Sequence, residues 1–456
     1  MRSVRSTRNP KASNRFGVGK QVARWGLTQA LPRRMFRRAA ARGDLQGRLL
    51  EAMAGPDPNA VWPVIEEMRA AGSLLAPVSV SWASVDHHVC KEVLTSPDFR
   101  VGNPELPGWL ERGLLWAQAP WIHPLQPPSL LATEPPDHTR YRRLVTRVFT
   151  NRAVQALRSR TEEIAEDLLR AIEADVAAGR PVDLVESYCG QLPLIVICEI
   201  LGVPEADRGR VFDMGSAAAA SLDLGLSWAD YRAMDAGLRD FDRWLEGHLA
   251  HLREHPGDDL MSQLAAAQDE GAGLTLEELK ATAGLVLVAG FETTVNLLGN
   301  AIALLTEHRD QLDLVLADGS RWANVVEEVL RIDPPVLLTS RVADRPTRIA
   351  GVALRKGSTV LTCLAGANRD PKIFPEPERF DITRENARDH LAFSAGRHHC
   401  LGAQLARMEG EVGLRALFER FPDLRLLPGA ERRHTQLLRG YATLPAVLGQ
   451  ARTPSS

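Results

Sequence analysis

The segment AFSAGRHHCLG, residues 392–402, combines residue types that suit binding of a metal or a cofactor. Cys400 directly precedes a stretch with helical apolar spacing, so its thiol lies at a predicted helix N-terminus, where unpaired backbone N–H groups favour a thiolate. Gly396 permits a positive φ before the cysteine, and Gly402 lets a flat, bulky group approach closely. His398 adds a donor for anionic groups. A thiolate with one open side suits an axial ligand of iron.

Two other interpretations of this loop stay open on the residues alone. A lone cysteine is commonly a small buried apolar residue. Cys400 is also compatible with a thiol nucleophile that takes His398 or His399 as its base, as in a cysteine hydrolase. Adjacent side chains in one loop rarely converge on each other, so the interpretation as a cysteine hydrolase is weaker than the interpretation as an iron ligand.

A second polar group lies inside a long apolar run, at AGFETT, residues 289–294. Burying Glu292 and Thr293 in the middle of an apolar helix costs free energy unless the two side chains have partners or a task. The structural alternative for Thr293 is a hydroxyl that bonds to the carbonyl one turn earlier, which is common in helices.

Basic residues and histidine share a third segment, EPPDHTRYRRLVTRVF, which begins a helix after two prolines. At about 100° per residue, His138 and Arg142 fall within about 40° of each other. The remaining arginines of the segment cluster on roughly the opposite face: Arg140, Arg143 and Arg147. A further charged pair, Glu328 and Arg331, has the i,i+3 spacing of a helical ion pair.

The elements that position these groups are mainly helical. Helical apolar spacing covers residues 156–179, 275–308 and 320–332, and the second of these is apolar through its middle, as a helix in the centre of a molecule would be. Shorter alternation with glycines over 347–364 predicts strands and turns. We therefore expect a mainly α fold with small β-sheets: one large domain over residues 46–456, preceded by an extension over 1–45.

The extension differs from the rest of the chain in charge. The whole protein has 456 residues and a net charge of −2, yet residues 1–43 hold 12 Lys or Arg and no Asp or Glu. The remainder has 43 basic and 57 acidic residues, a net charge of −14. A disordered arm, a membrane-surface helix and a targeting segment all fit the extension. The acidic remainder predicts no nucleic-acid partner.

Membrane and redox signals are weak. No apolar run is expected to approach the roughly 18 residues that span a bilayer, the best being 192–203, which Glu199 interrupts. The five cysteines are scattered and odd in number, without a C-x-x-C pair. They argue against a disulfide framework and for a reducing, cytoplasmic location of a soluble protein.

The cysteine segment resembles the haem-binding loop of the cytochrome P-450 family, Phe-x-x-Gly-x-His/Arg-x-Cys-x-Gly. The match here runs from Phe393 to Gly402, with Ser394 where many members have glycine. The resemblance begins near residue 50, extends to the C-terminus and is closest to the soluble bacterial members. It implies haem b between the long central helix and the helix after the cysteine loop, with Cys400 as the iron ligand.

The same resemblance implies roles for the other groups. Ala289 and Gly290 would open a groove for dioxygen, and Glu292 with Thr293 would deliver protons to it. The haem propionates would be bound by His138, Arg142, Arg341 and His398. Glu328 and Arg331 would form a structural cluster with Arg379.

The function implied is a haem-thiolate monooxygenase that inserts one atom of dioxygen into a small apolar organic substrate. The sequence has no flavin or nicotinamide motif, so electrons would come from a ferredoxin and its reductase, docked on Arg140, Arg143 and Arg147. The alternative is a haem-binding sensor or carrier without catalysis, which would not need the acid-alcohol pair. Candidate pocket segments are 106–127, 214–228, 285–290, 336–339 and 437–441.

Overall fold

The structure is a computed structural model, and it describes residues 10–77, 81–102, 108–119, 121, 123–146, 149–223, 225–257, 259–269, 274–433, 435–449 and 451. The chain is mainly helical with small sheets, as predicted. The helices are α1 Pro10–Trp25, α2 Leu31–Ala41, α3 Leu45–Met53, α4 Val61–Ala71, α5 His87–Thr95, α6 Gly108–Ala117, α7 Asp137–Thr146, α8 Asn151–Ala177, α9 Gln191–Ile200, α10 Arg208–Ala219, α11 Trp228–Glu254, α12 Leu260–Asp269, α13 Leu276–Glu307, α14 Arg309–Ala317, α15 Trp322–Ile332, α16 Leu364–Ala367 and α17 Ala403–Arg420.

The strands form four small sheets. Their bounds are β1 Trp82–Ser84, β2 Phe99–Arg100, β3 Val182–Asp183, β4 Leu338–Ala343, β5 Thr347–Ile349, β6 Val352–Leu354, β7 Thr359–Cys363, β8 Arg425–Leu426, β9 Glu431–Arg432, β10 Tyr441–Thr443 and β11 Pro445–Val447. The largest sheet has the order β1-β7-β4-β2, with β1 parallel to β7 and the other pairs antiparallel. The remaining sheets pair β3-β11-β8, β9-β10 and β5-β6.

The centre of the molecule is α13, which begins with a capping box between Thr275 and Glu278. Its buried side chains join the main apolar core with those of α8, α9, α15 and α17. Contrary to the sequence expectation, α13 is long and apolar enough to cross a membrane, since one 18-residue window has a mean hydropathy of 1.5. However, 78% of that window is buried inside the protein, as in the core helix of a globular fold.

The extension is not a disordered arm over its described part. From Pro10 it runs through α1, one π-helical turn at Gly26–Ala30, and α2. Arg24 binds the carboxylate of Asp235 at 3.0 Å, and the indole of Trp25 donates to the carbonyl of Leu226. The extension is therefore fastened to the start of α11 by buried polar contacts.

Candidate active site

The cysteine loop, residues 392–402, is a tight turn that ends where helix α17 begins. The Cys400 N–H donates to the carbonyl of Phe393 at 2.9 Å. Gly396 has φ +70°, and a Cβ there would lie 2.6 Å from the carbonyl oxygen of Leu94, so only glycine fits. Ser394 also adopts a left-handed φ of +60°. The conformation explains why glycine is the ordinary choice at that position of the loop.

The Cys400 residue is exposed on one side, although protein packs closely around the rest of its thiol. Burial raises the pKa of this thiol, while the N–H of Gly402 and the charges of Arg142 and Arg407 lower it in part. Helix α17 begins at Ala403, so the thiol precedes its first turn, and the expected depression of the pKa is outweighed by desolvation in the protein alone. A Cβ on Gly402 would meet no protein atom within 4 Å. The loop is thus open where the sequence predicts a flat group.

Three cationic or imidazole donors near this loop lack an acidic partner. Arg142 and Arg341 form no ion pair within the part of the chain that the structure describes, and burial lowers the pKa of both, that of Arg341 to about 10. The buried Nε2 of His138 has no hydrogen-bond partner, and burial lowers the pKa of His138 to about 4. Arg341 donates only to neutral oxygens of Thr339, Ser340 and Ser394, so none of the three groups has a compensating negative charge. Burial of charged or polar groups without such compensation is costly, which favours an anionic ligand at this place.

His398 has a partner that the sequence did not indicate. Its Nε2 lies 3.1 Å from the carboxylate of Glu134, which also accepts from Arg397 at 3.0 Å. The rings of His138 and His398 are 4.3 Å apart. The structure thus brings His398 to the predicted donor group, with one ring nitrogen already engaged by Glu134.

Along α13, a partly exposed stripe interrupts an otherwise buried surface. Leu285, Ala289 and Thr293 are four residues apart and only partly buried, as is Gly290, whereas most neighbours are buried. Leu285, Ala289 and Thr293 therefore form one partly exposed stripe on α13, whereas a Cβ on Gly290 would lie 3.1 Å from the side chain of Ile197. The hydroxyl of Thr293 donates to the carbonyl of Ala289 at 2.8 Å, which is the bond of the structural alternative.

Glu292 pairs with a residue outside this stripe. It is buried, and its Oε1 forms a 2.7 Å ion pair with Nη1 of Arg433, while its Oε2 has no partner. Burial raises the pKa of Glu292, and Arg433 opposes that rise. Asn296, one turn further on, has two buried side-chain atoms without partners. Neither Arg433 nor Asn296 was a sequence candidate. Nothing in the sequence indicates that Arg433, between β9 and β10, lies beside α13.

The structural cluster around Glu328 differs from the prediction in one member. Glu328 and Arg331 form a fully buried bidentate pair, with bonds of 2.7 and 2.8 Å. The predicted third member is wrong: the side chain of Arg379 is 56% exposed and pairs with Glu376. Arg384 takes its place, 3.3 Å from Glu328 and 8% exposed. Arg379 contributes only its backbone carbonyl, which accepts from Arg331.

Two members of the predicted basic stripe on α7, Arg140 and Arg143, lie among the described residues, and they differ in their contacts. The Nη2 of Arg140 lies 2.5 Å from Oε1 of Glu278, at the start of α13. Arg143 is exposed and lines a depression of about 570 Å³ together with Arg142 and Arg397. Arg147 lies outside the described residues. The exposed Arg143 therefore lies beside the cysteine loop, on the side that carries Arg142.

The candidate pocket segments meet in one apolar cluster. Its buried members include Leu222, Val288 and Leu438, and Trp121 packs against it. Trp25 of the extension joins the same cluster. Trp109 and Trp116 do not: they are 65% and 55% exposed. Of the three tryptophans in residues 106–125, only Trp121 covers apolar residues of the interior.

These groups fit haem. One exposed cysteine, an open glycine beside it, two buried donors (His138 and Arg341) and the half-buried Arg142, all without acidic partners, match a flat iron complex with two carboxylates. A hydrolase does not fit, since no hydrogen bond joins the Cys400 thiol to a histidine ring in the described part of the chain.

Comparison with known proteins identifies the family. A family model described as Cytochrome P450 matches residues 322–443. A Mycobacterium tuberculosis protein named cytochrome P450 140 is 52% identical over 423 residues, covering 90% of this chain and 94% of the relative. The 6-deoxyerythronolide B hydroxylase of Saccharopolyspora erythraea is 43% identical over 69% of this chain and 77% of its own length. The crystal structure of Mycobacterium smegmatis CYP164A2 superposes with a TM-score of 0.78 at 35% identity, covering 87% of this chain and 99% of that one.

The sequence motifs, the loop geometry and these similarities agree, and they set aside the non-catalytic haem carrier. The chain belongs to the cytochrome P450 family and is a haem-dependent, thiolate-ligated monooxygenase.

Proposed function

We propose that Cys400 is the axial ligand of the haem iron in this monooxygenase. The observation that carries the assignment is the exposed Cys400 beside the buried His138 and Arg341 and the half-buried Arg142, three donors without acidic partners. When bound, the haem supplies activation of dioxygen and insertion of one oxygen atom into a C–H bond, and the other atom leaves as water. Haem binding, oxygen binding and proton supply depend on the residues of this chain.

Binding of the haem carboxylates falls to His138, Arg142 and Arg341. Charge-assisted bonds would satisfy the unpaired His138 Nε2 and offset the desolvation of both guanidinium groups. His398 supports the same region through Glu134, which it shares with Arg397. Phe393 and Gly402 complete the loop, the first through its carbonyl and the second by leaving the approach open.

Oxygen binding and proton supply fall to α13. Ala289 has a small side chain on the partly exposed stripe and Gly290 has none, which would leave room for dioxygen. The Thr293 hydroxyl holds a proton at the same face, and Glu292 takes up protons from solvent when it leaves its ion pair with the partly exposed Arg433. Glu292 must turn from Arg433 toward the stripe to act, so we expect two positions of its side chain.

Electrons come from a separate protein, which we propose to be a ferredoxin with its reductase. Arg143 is the exposed guanidinium of a depression beside the cysteine loop, which Arg142, the proposed haem ligand, and Arg397, the partner of Glu134, also line. An acidic protein docked there would approach the thiolate side of the haem. Electrostatic steering predicts that added salt slows reduction.

The substrate class follows from the apolar cluster of Leu222, Val288 and Leu438, with Trp121 against it. Such a lining suits a small apolar organic molecule. Two similar proteins are named for hydroxylation of 6-deoxyerythronolide B and of vitamin D(3). We propose a bulky alicyclic substrate of that general kind, met in the cytoplasm, where the five free cysteines stay reduced.

The test of Cys400 is the absorption spectrum of the reduced, CO-bound protein. The wild type should show the red-shifted Soret band of a thiolate-ligated haem, and Cys400→Ser should lose it. Cys198→Ser is the matched control, because Cys198 is buried in α9 away from the loop and should keep the band. A Cys400→Ser variant with an unchanged band and turnover would refute the assignment.

The docking proposal has its own test. Arg143→Glu should slow reduction by a ferredoxin several-fold and flatten its dependence on salt. Arg355→Glu makes the same charge change at an exposed site in the β6–β7 turn and should leave reduction unchanged. Equal rates in the two variants would exclude this depression as the docking site.

A further inference from the structure

Half of the exposed large apolar side chains in the described part of the chain lie on three neighbouring helices. The exposed set has fourteen members, and seven belong to α1, α2 and α6. Those seven are Val18, Val22, Leu31, Met35, Trp109, Leu115 and Trp116. We call the outward surface of these three helices the N-terminal face. Scattered exposed apolar residues are ordinary, but such a concentration marks an interaction surface.

The three helices are adjacent in space. The Nζ of Lys20 lies 5.3 Å from the ring centre of Trp116, which joins α1 to α6. The side chain of Leu27 approaches Gly113 closely enough that a Cβ there would lie 3.6 Å away. Helix α2 follows α1 after a single π-helical turn. The three helices that carry the exposed apolar side chains therefore form one region of the surface.

The N-terminal face is held firmly against the rest of the protein. Arg24 binds both Asp235 and the hydroxyl of Tyr231, at 3.0 and 2.7 Å, and the Trp25 ring packs against Trp228. Gln21 adds a 2.7 Å bond to Asp235. A solvated tail would have no such fastening. These contacts of Gln21, Arg24 and Trp25 determine which side chains of α1 point outward.

Basic side chains surround the apolar ones. Lys20, Arg34, Arg37, Arg38 and Arg42 are exposed and form no ion pair with any described residue. The three helices contain one acidic residue, Glu111 on α6. Unpaired positive charge beside protruding aliphatic and tryptophan side chains is the pattern of a helix that lies in the interface of an anionic bilayer.

We propose that the N-terminal face binds peripherally to the surface of anionic phospholipid membranes. The arginines bind lipid phosphates, and Trp109, Trp116 and their aliphatic neighbours enter the boundary between headgroups and acyl chains. An acidic protein would match the charge, but it would have to supply a complementary apolar surface. A bilayer offers both phosphate and hydrocarbon to any convex surface. The inference is independent of the catalytic residues.

The test is sedimentation with vesicles, using the full-length, haem-loaded chain with no tag at its N-terminus. We expect it to bind phosphatidylcholine vesicles that contain 30 mol% phosphatidylglycerol at least about tenfold more strongly than pure phosphatidylcholine vesicles, with loss of binding at high salt. Arg34→Glu with Arg38→Glu should lower binding at least about tenfold. Trp109→Ser with Trp116→Ser should lower it on the same vesicles and remove the fluorescence blue shift that accompanies insertion of tryptophan.

Matched controls lie on other faces. Arg355→Glu with Lys356→Glu repeats the charge change, and Val176→Ser with Leu314→Ser repeats the loss of exposed apolar side chains. The proposal is overturned if the protein stays in the supernatant with both kinds of vesicle. It is also overturned if the controls lower binding as much as the test variants. Concentration-dependent dimers that disappear in the Trp109→Ser, Trp116→Ser variant, without vesicle binding, would instead assign the face to a second copy of the chain.

Discussion

Arg433 holds Glu292 at 2.7 Å, so the acid of the central helix is bound to a residue of the β9–β10 hairpin more than a hundred positions away in sequence. Glu292 is 3% exposed and Arg433 is 27% exposed at their side chains. The pair is thus a link between the interior and the solvent.

Replacing Arg433 by Gln should raise the pKa of Glu292 further, because burial already raises that pKa and the guanidinium opposes the rise. If ionised Glu292 recruits protons, the acid limb of the kcat profile should move to higher pH. The buried carboxyl binds more protons when folded than when unfolded, so the free energy of unfolding should fall as pH rises through the folded pKa. Arg425→Gln, an exposed site on β8, should change neither measurement.

Thr293→Ala should lower the product formed per electron consumed and raise the hydrogen peroxide released, while haem and substrate still bind. The reason is that the variant removes the only hydroxyl on the partly exposed stripe of Leu285, Ala289 and Thr293. Thr293→Ser keeps a hydroxyl and should recover most of the coupling. Because the hydroxyl donates to Ala289 in this structure, unchanged coupling in Thr293→Ala would assign it a helical role alone.

Arg384 and Arg379 make a matched pair for the cluster around Glu328. Arg384→Ala removes a nearly buried partner of a fully buried carboxylate and should lower the free energy of unfolding by about 2–3 kcal/mol. Arg379→Ala removes an exposed side chain and should change it by less than about 0.5 kcal/mol. Denaturant unfolding, with haem content as a second readout, separates the two. A larger loss in Arg379→Ala would restore the sequence prediction.

Ser394→Gly should stabilise the cysteine loop by about 0.5–1 kcal/mol, since a left-handed φ of +60° strains a residue with a Cβ. The Ser394 hydroxyl lies 3.4 Å from Arg341, a weak contact. Ser394→Ala separates the two effects, because it loses the contact and keeps the strain. Equal stability of the glycine and alanine variants would show that the loop stores no such strain.

The sequence alone determined the chemistry of this protein. Cys400 with its flanking glycines, the acid and alcohol inside an apolar helix, and the Glu328–Arg331 spacing are local patterns. Local patterns follow from backbone geometry and helix periodicity, so they could be predicted, as were the mainly helical fold and the strands over 347–364. Partners distant along the chain could not be predicted in the same way.

Tertiary structure decided which distant groups meet. Arg433 reaches Glu292, Arg384 replaces Arg379, Glu134 binds His398, and Arg140 pairs with Glu278. The basic extension likewise packs against α11 because Asp235 and Tyr231 lie within hydrogen-bond distance of Arg24. Charge and hydropathy fix what a side chain needs, but several carboxylates or arginines satisfy the same need. Only the packing of helices and hairpins selects one of them.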